Sequence, residues 1–445
     1  MTHPDGAVLS AFSLDAKSII DREAVAAHVE SCALCQEGLT VYRELDGALR
    51  HSETWDHVTT LQSPGERFAQ LQAVRKRVQA EDEEANRVLN PLLDSPLRFK
   101  SATLEKKPRC HTAGMVRMLC AAANERHESR PKFSLQLTVT ACAIAKALPD
   151  TKDSGRRLSM AMALRERANA LRYLGQFSEA LQALEYAERF HDMTPAADPF
   201  DLAVIWLLRA TVLMENERPQ EGIVMAREAV RAFRDYGDTD REISAAMVEA
   251  SCLMFSGHAR DAVEAYEYVI RLARPRANTR LLASALQNSG LACVELGQLA
   301  RAEACYAEAA VLYDELNVPT EKARTIWALA SVAVARGQIA EGSAGLDASR
   351  KELARLGLTN DAALAALEWA EACLAVNQSN GVAEVCRKIV VVFSSEGMQR
   401  HAREALSVLH ETLAAGQATP ELVKSVRLYL EQLPTNPTQR FAQVS

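Results

Sequence analysis

The stretch HVESCALC sets His28, Cys32 and Cys35 at steps of four and three residues, and no other part of the 445-residue chain gathers histidine and cysteine so closely. Imidazole nitrogen and thiolate sulfur are the donors that zinc takes into a tetrahedral shell. Residues four apart on a helix lie one above the other. A helix over residues 21–30, ended by a tight bend, would therefore turn all three donors toward one point. A closed structural site needs a fourth donor, and His3, well upstream of His28, is the obvious one. His51 and His57 are alternative donors. The expected cofactor is zinc, held by His3, His28, Cys32 and Cys35.

A shell closed by four protein donors leaves no position for a water to be activated, so the spacing argues against a catalytic metal. HETLA at 410–414 begins like a zincin helix but has Ala414 where the second histidine would stand. No Walker loop, dinucleotide fingerprint or nucleophile elbow is present. The expectation is a protein that is not an enzyme. A DNA-reading zinc finger is a poor alternative too, because its cysteine pair precedes two histidines.

Lys and Arg number 51 against 58 Asp and Glu, a formal charge of -7, and residues 1–50 carry eight acidic against four basic residues. Such a balance repels phosphate, so no direct nucleic-acid partner is expected. No basic start leads into an apolar core, and even CRKIVVVF is bounded by charge, so the expected location is the cytoplasm with no membrane association. Cys110, Cys120, Cys142, Cys252, Cys293, Cys305, Cys373 and Cys386 lie in alanine-rich, helix-like surroundings and read as small buried hydrophobes.

The elements that must position these residues are helical throughout, given abundant alanine and leucine and few aromatics. Residues 1–48 form the metal module. Residues 49–108 hold a linker, over 45–62, and a helix opened by Ser63 as N-cap, Pro64 at the first helical position and Glu66 completing a capping box. Phe68, Leu71, Val74 and Val78 make one apolar stripe on that helix, a candidate partner contact. Residues 109–150 read as an irregular capping pair, and 434–445 as a flexible tail.

Between them, over 155–433, the chain repeats itself with a period of about 40 residues, a length that belongs to stacked helical units. Turn positions fall at Gly175, Glu217, Gly257, Gly297, Gly337, Asn377 and Gly416. Small residues precede each turn by seven (Ala168, Ala210, Ala250, Gly290, Ala330, Ala370) and follow it by five (Ala180, Gly222, Ala262, Ala302, Gly342). These are the two arms of helical hairpins whose backbones approach closely, and six or seven such hairpins must stack into an α-solenoid to bury their apolar faces.

The small-residue columns, the glycine turn and Tyr266 and Tyr306 resemble the tetratricopeptide repeat, here in a variant longer than that family's ordinary unit of about 34 residues. Val382 departs from the pattern in the sixth unit. HEAT-type stacking fits the length better and the turn-to-alanine pattern worse. The resemblance implies an inner wall that holds peptides or helices. Ten before each turn it would present Arg165, Leu207, Met247, Gln287, Trp327 and Leu367, and three before it Arg172, Met214, Met254, Val294, Val334 and Leu374. Met214, Met247, Met254 and Trp327 are the candidate contacts of this adaptable, largely apolar wall.

His3 with HVESCALC, inside LSAFSLDAKSIIDREAVAAHVESCALCQEGL, resembles the zinc-binding anti-sigma domain of bacteria over about residues 1–48. That resemblance implies a sigma factor as partner, and transcription control by occluding it. The alternative expectation is a non-regulatory scaffold with a purely structural zinc module.

Overall fold

Alanine-rich arms separated by residues that tolerate a left-handed backbone can only fold as helices that turn back on one another. The computed structural model is accordingly all-α, with twenty α-helices, two 3-10 turns and no strand among the described residues. It describes residues 3–4, 8–9, 12, 22–50, 64–93, 99–149, 155–194, 197–276, 278–378, 381–395, 400–432 and 441. Two units divide the chain, Met1–Ala80 and Glu81–Ser445.

The first unit contains α1 (Arg22–Ser31), α2 (Ala33–Arg50) and the first part of α3 (Pro64–Leu93). Leu9, Val29, Cys35 and Leu39 form its small buried core, edged by Phe12, Val25, Cys32 and Tyr42. Residues 45–50, expected in the linker, belong to α2, which continues to Arg50. Leu45 and Leu49 prolong the apolar spacing of Leu39 and Tyr42, and no proline interrupts it. Ser63 and the residues before it, back to His51, lie outside the described residues.

In the second unit, α4 (Ser101–Glu105), α5 (Ala113–Asn124) and α6 (Pro131–Ala147) precede the repeats, with a 3-10 turn at Pro108–Cys110. Thr112 caps α5 by accepting a bond from the Met115 amide at 3.1 Å. Then come α7 (Arg156–Tyr173), α8 (Phe177–Asp192), α9 (Pro199–Glu215), α10 (Pro219–Asp235), α11 (Thr239–Phe255), α12 (Ala259–Ala273) and α13 (Thr279–Glu295). The series continues with α14 (Leu299–Glu315), α15 (Pro319–Ala335), α16 (Ile339–Arg355), α17 (Thr359–Ala375), α18 (Val382–Ser395), α19 (Arg400–Ala414) and α20 (Pro420–Gln432).

From α9 to α17 the helix starts are evenly spaced, running Pro199, Pro219, Thr239, Ala259, Thr279 and onward to Thr359, so each repeat unit is two equal halves. The middle residue of the turn is left-handed at Glu217 (φ 56°), Asn317 (φ 53°), Asn377 (φ 56°) and Gly257 (φ 76°). Around Gly257 the His258 amide donates to Leu253 O at 2.9 Å and the Gly257 amide to Met254 O at 3.0 Å. This pair of bonds ends a helix by satisfying its orphan carbonyls. The same pair closes α13, where Gln298 donates to Cys293 O and Gly297 to Val294 O.

Small residues let the arms meet. A Cβ on Gly222 would stand 2.8 Å from Cys252 Sγ and 3.1 Å from Ala210 O, and one on Gly290 2.7 Å from the Tyr306 ring. The stack ends differently: on its far side α17 packs more against α20 than against α18, and Leu367, Ala370, Cys373, Leu406, Val423 and Val426 share one terminal core. Val382, too large for the hairpin contact, is buried in that core instead.

Glutamate in the left-handed region is strained by about 1–2 kcal/mol relative to glycine. Glu217→Gly is expected to raise the denaturant midpoint by an amount worth about 0.5–1 kcal/mol, the relief of that strain less the entropy glycine adds to the unfolded chain. Gly290→Ala should lower it by about 1–3 kcal/mol through overpacking against Tyr306. Urea unfolding followed by circular dichroism checks both signs.

Candidate metal centre and repeat wall

Helix α1 ends at Ser31 and α2 opens at Ala33, so Cys32 alone forms the joint. Its amide donates to Val29 O at 3.4 Å and its carbonyl accepts from the Gln36 amide at 3.0 Å. This one-residue joint puts His28 on the last turn of α1, Cys32 at the bend and Cys35 in the first turn of α2. The Cys35 amide donates to the Cys32 sulfur and holds that thiol below its ordinary value, with the Leu34 amide helping. Burial pushes the Cys35 thiol up, as does the neighbouring Cys32; Cys35 is only 1% exposed.

His3 meets this arrangement. Its Nδ1 lies 3.4 Å from Cys35 Sγ, 3.5 Å from Cys32 Sγ and 3.4 Å from His28 Nε2. All four donor atoms fall within 4.8 Å of one another. Bonds of about 2.0–2.1 Å to nitrogen and about 2.3 Å to sulfur give a tetrahedron with edges of about 3.3 Å (N–N), 3.5 Å (N–S) and 3.8 Å (S–S). The three His3 distances match those edges. The two imidazoles meet at 90° with centroids 5.3 Å apart, so their lone pairs can converge without the rings stacking. The residues present therefore fit a four-coordinate ion. His51 and His57 lie outside the described residues.

On α3 the side chains of Phe68 and Leu71 lie outside the described residues, Val74 is 48% exposed and Val78 is half-buried. Along the repeats the wall is less open than expected. Met254 packs with Val263, Tyr266 and Tyr306, and Leu367 belongs to the terminal core, so neither faces an open groove. Met214 and Met247 are half-buried. Trp327 is half-buried between α16 and α17 residues such as Leu353 and Ala365, and its Nε1 donates to Glu368 at 2.7 Å. The fixed offset from the turn places a residue on a helix, but the rotation between successive hairpins decides whether a neighbour covers it.

Two further residues on the same helices escape the sequence reading. Phe255, two before its turn, is 71% exposed, and Leu291, six before its turn, is 49% exposed. Apolar residues at positions that other units fill with Glu215, Glu295 or Ser251 were the available signal.

One other cluster has the look of chemistry. Ser134 Oγ lies 2.7 Å from His127 Nδ1, and His127 Nε2 lies 3.2 Å from Glu166 Oε2. Arg165 donates to Glu166 through Nε and Nη2 at 2.9 and 2.8 Å. Burial works against the Glu166 charge, but the His127 and Arg165 bonds outweigh it and hold the carboxyl below its ordinary value. Ser134 is fully buried and its hydroxyl also reaches Ala123 O at 3.1 Å. The set ties the α5–α6 connection to α7 and offers a substrate no approach to the hydroxyl. Six of the eight remaining cysteines are buried, with Cys142 and Cys305 partly so, and burial pushes Cys252 and Cys386 up to about 12.

No protein-family model matches the chain, and no curated protein matches it. Solved structures do. A signal-transduction ATPase with numerous domains and a tetratricopeptide repeat sensor, from Pyrococcus horikoshii, is 13% identical with a TM-score of 0.55. That match covers 97% of this chain and 63% of that one. The apo quorum sensor NprR of B. thuringiensis is 13% identical with a TM-score of 0.51, over 77% of this chain and 99% of that one. At this identity the likeness is one of fold: the repeats form a tetratricopeptide-like helical solenoid. No described helix is long and apolar enough to cross a membrane.

Burial pushes the Glu368 carboxyl above its ordinary value despite the bonds from Ser331 and Trp327. A carboxyl whose folded value is raised ionises more readily unfolded, so stability is lost as pH rises through its titration. Glu368→Gln should therefore be as stable as the parent near pH 4 and more stable at pH 8. Thermal midpoints across that range check it, and a parent advantage that grows with pH would be the wrong sign.

Proposed function

We propose that the chain is a zinc-binding interaction regulator. Zinc knits the first unit into a docking head for a partner protein, and the repeats receive a second partner or a signal. The observation that carries this reading is the convergence of four donor atoms, in which the three distances from His3 match the edges of a mixed nitrogen–sulfur tetrahedron. The described core holds four buried apolar residues, a small core for such a module, and a structural ion would add free energy of folding. When bound, the ion would organise α1, α2 and the chain start at His3. It would leave no open position for catalysis, so the protein would act by contact.

The resemblance of residues 1–48 to anti-sigma zinc domains makes a sigma factor the leading partner, sequestered by the head. The exposed Leu34 and Val41 on α2, two turns apart, and Val74 on α3 give that head apolar contact points. In the same repeat fold one similar protein is a quorum sensor and another carries its repeats as a sensor. Both support assigning reception to the repeats. Phe255 and Leu291 favour a second reading, a scaffold whose partners dock on the repeats alone.

Elemental analysis of protein isolated without chelator is expected to find one zinc per chain, and none in Cys32→Ser/Cys35→Ser. Co-purification with a sigma factor should be lost on Cys32→Ser and on deleting residues 1–94. Partner binding that survives both changes but weakens in Phe255→Ala or Met247→Ala would replace the regulator by the scaffold. Metal-free native protein would remove the docking head.

A further inference from the structure

The whole-chain charge of -7 conceals a local reversal: residues 99–149, which hold α4, α5 and α6, carry nine Lys and Arg against three Glu, a balance of +6. Neither α5 nor α6 contains an acidic residue. Elsewhere exposed cations commonly sit beside a carboxylate on the same helix or its cap, as Arg218 does with Glu221, Arg355 with Glu352 and Lys388 with Glu384. Lys100, Lys106, Lys107, Arg109, Lys132 and Lys146 are all exposed, and none has a carboxylate within ion-pairing distance among the described residues.

Packing of the chain around α4 on α6 brings cations that flank α4 beside those of α6. The Phe99 ring meets the Phe133 ring at 5.6 Å, Gln136 Nε2 donates to Phe99 O at 3.3 Å, and Thr140 Oγ1 donates to Ser101 Oγ at 2.8 Å. So α4 runs alongside α6 in the same direction, and Lys106 and Lys107 follow toward the end of α6 that carries Lys146. On α6, Lys132, Gln136, Val139 and Lys146 share the outward stripe at helical spacing. From Lys132 to Lys146 is about 21 Å of helix at about 1.5 Å per residue.

We propose that this face binds the phosphate backbone of double-helical nucleic acid, without reading its sequence. Lysine is depleted from protein–protein interfaces, which need a buried apolar or aromatic anchor, and the α6 stripe offers only Val139 as a large exposed hydrophobe. A lipid surface would require a broader apolar side to insert. Single strands are gripped by stacking bases on open rings, and here Phe99 is buried and faces Phe133. What remains is charge against regularly spaced phosphates, with affinity set by counterion release. The inference is independent of the metal head and of the repeat wall.

The test is fluorescence anisotropy of a labelled random-sequence DNA duplex of about 20 base pairs, titrated with the full chain between about 50 and 200 mM NaCl. With about five phosphates neutralised, log K against log salt should fall with a slope of about -4 to -5. In Lys106→Ala/Lys107→Ala/Lys132→Ala/Lys146→Ala, with circular dichroism unchanged, the slope should shrink to about -1 and binding at about 50 mM should weaken by about 100-fold or more. Lys351→Ala/Lys388→Ala, which removes paired cations, should bind as the parent does. Absence of binding by the parent at the lowest salt, or equal binding by the fourfold variant, overturns the proposal. So does a preference for phosphatidylserine vesicles or polyglutamate over duplex at equal charge concentration.

Discussion

The repeats of the second unit depend on a left-handed residue recurring at most joints between helices of nearly uniform length. A helix of 17 residues, about 25 Å long, is marginal in water by itself and gains its stability from the face it buries. The turn must therefore reverse the chain in a few residues and still leave no carbonyl unsatisfied. Paired bonds such as His258 to Leu253 O and Gly257 to Met254 O do this, and they exist only when the middle residue takes positive φ. Fixing the reversal fixes which faces meet. The meeting faces then demand small residues, since Gly222 and Gly290 have no room for a Cβ.

The first unit solves the same problem with different means. Its described residues bury few apolar side chains, and its joint is a single residue, Cys32, with no glycine. What converges there is a set of donors. The joint that would be a liability in a solenoid is useful here, because a sharp break between α1 and α2 is what points His28 and Cys35 inward together. One polypeptide thus joins a long part set by backbone geometry to a short part in which four donor side chains converge.

The repeat was legible because its constraints act at fixed offsets: Gly257, Gly297 and Gly337 recur one period apart, and Ala250, Gly290 and Ala330 stand seven before them. Its division into equal halves was written in the same chemistry at Gly237, Asn317 and Gly357, but those residues sit between hairpins, where the flanking columns differ. The convergence of His28, Cys32 and Cys35 follows from donor types and helical spacing, whereas His3 was one of three candidate fourth donors, and no local spacing ties it to the other three. The covering of Met254 and Leu367 does not, since it depends on how far each hairpin rotates against the next, a quantity carried by many side chains at once. The basic face was hidden for another reason: a sum over the chain lets acidic repeats cancel Lys106, Lys107 and Lys146, although fields at a surface are local, falling off within about 10 Å in salt.

A stack in which hairpins touch mainly their chain neighbours lets surfaces of unlike chemistry coexist. The cations that flank α4 and lie on α6 come before the hairpin of α7 and α8, whereas Phe255 and Leu291 lie two and three hairpins further on, and Glu368 with Glu371 near the far end. A charge placed on one of these surfaces is screened from the others and alters no packing contact they share. Arg427 and Glu371, 3.2 Å apart, illustrate the opposite case. That pair joins α17 to the last helix, and there the chain gives up neighbour-only packing so that the final apolar face is not left to water.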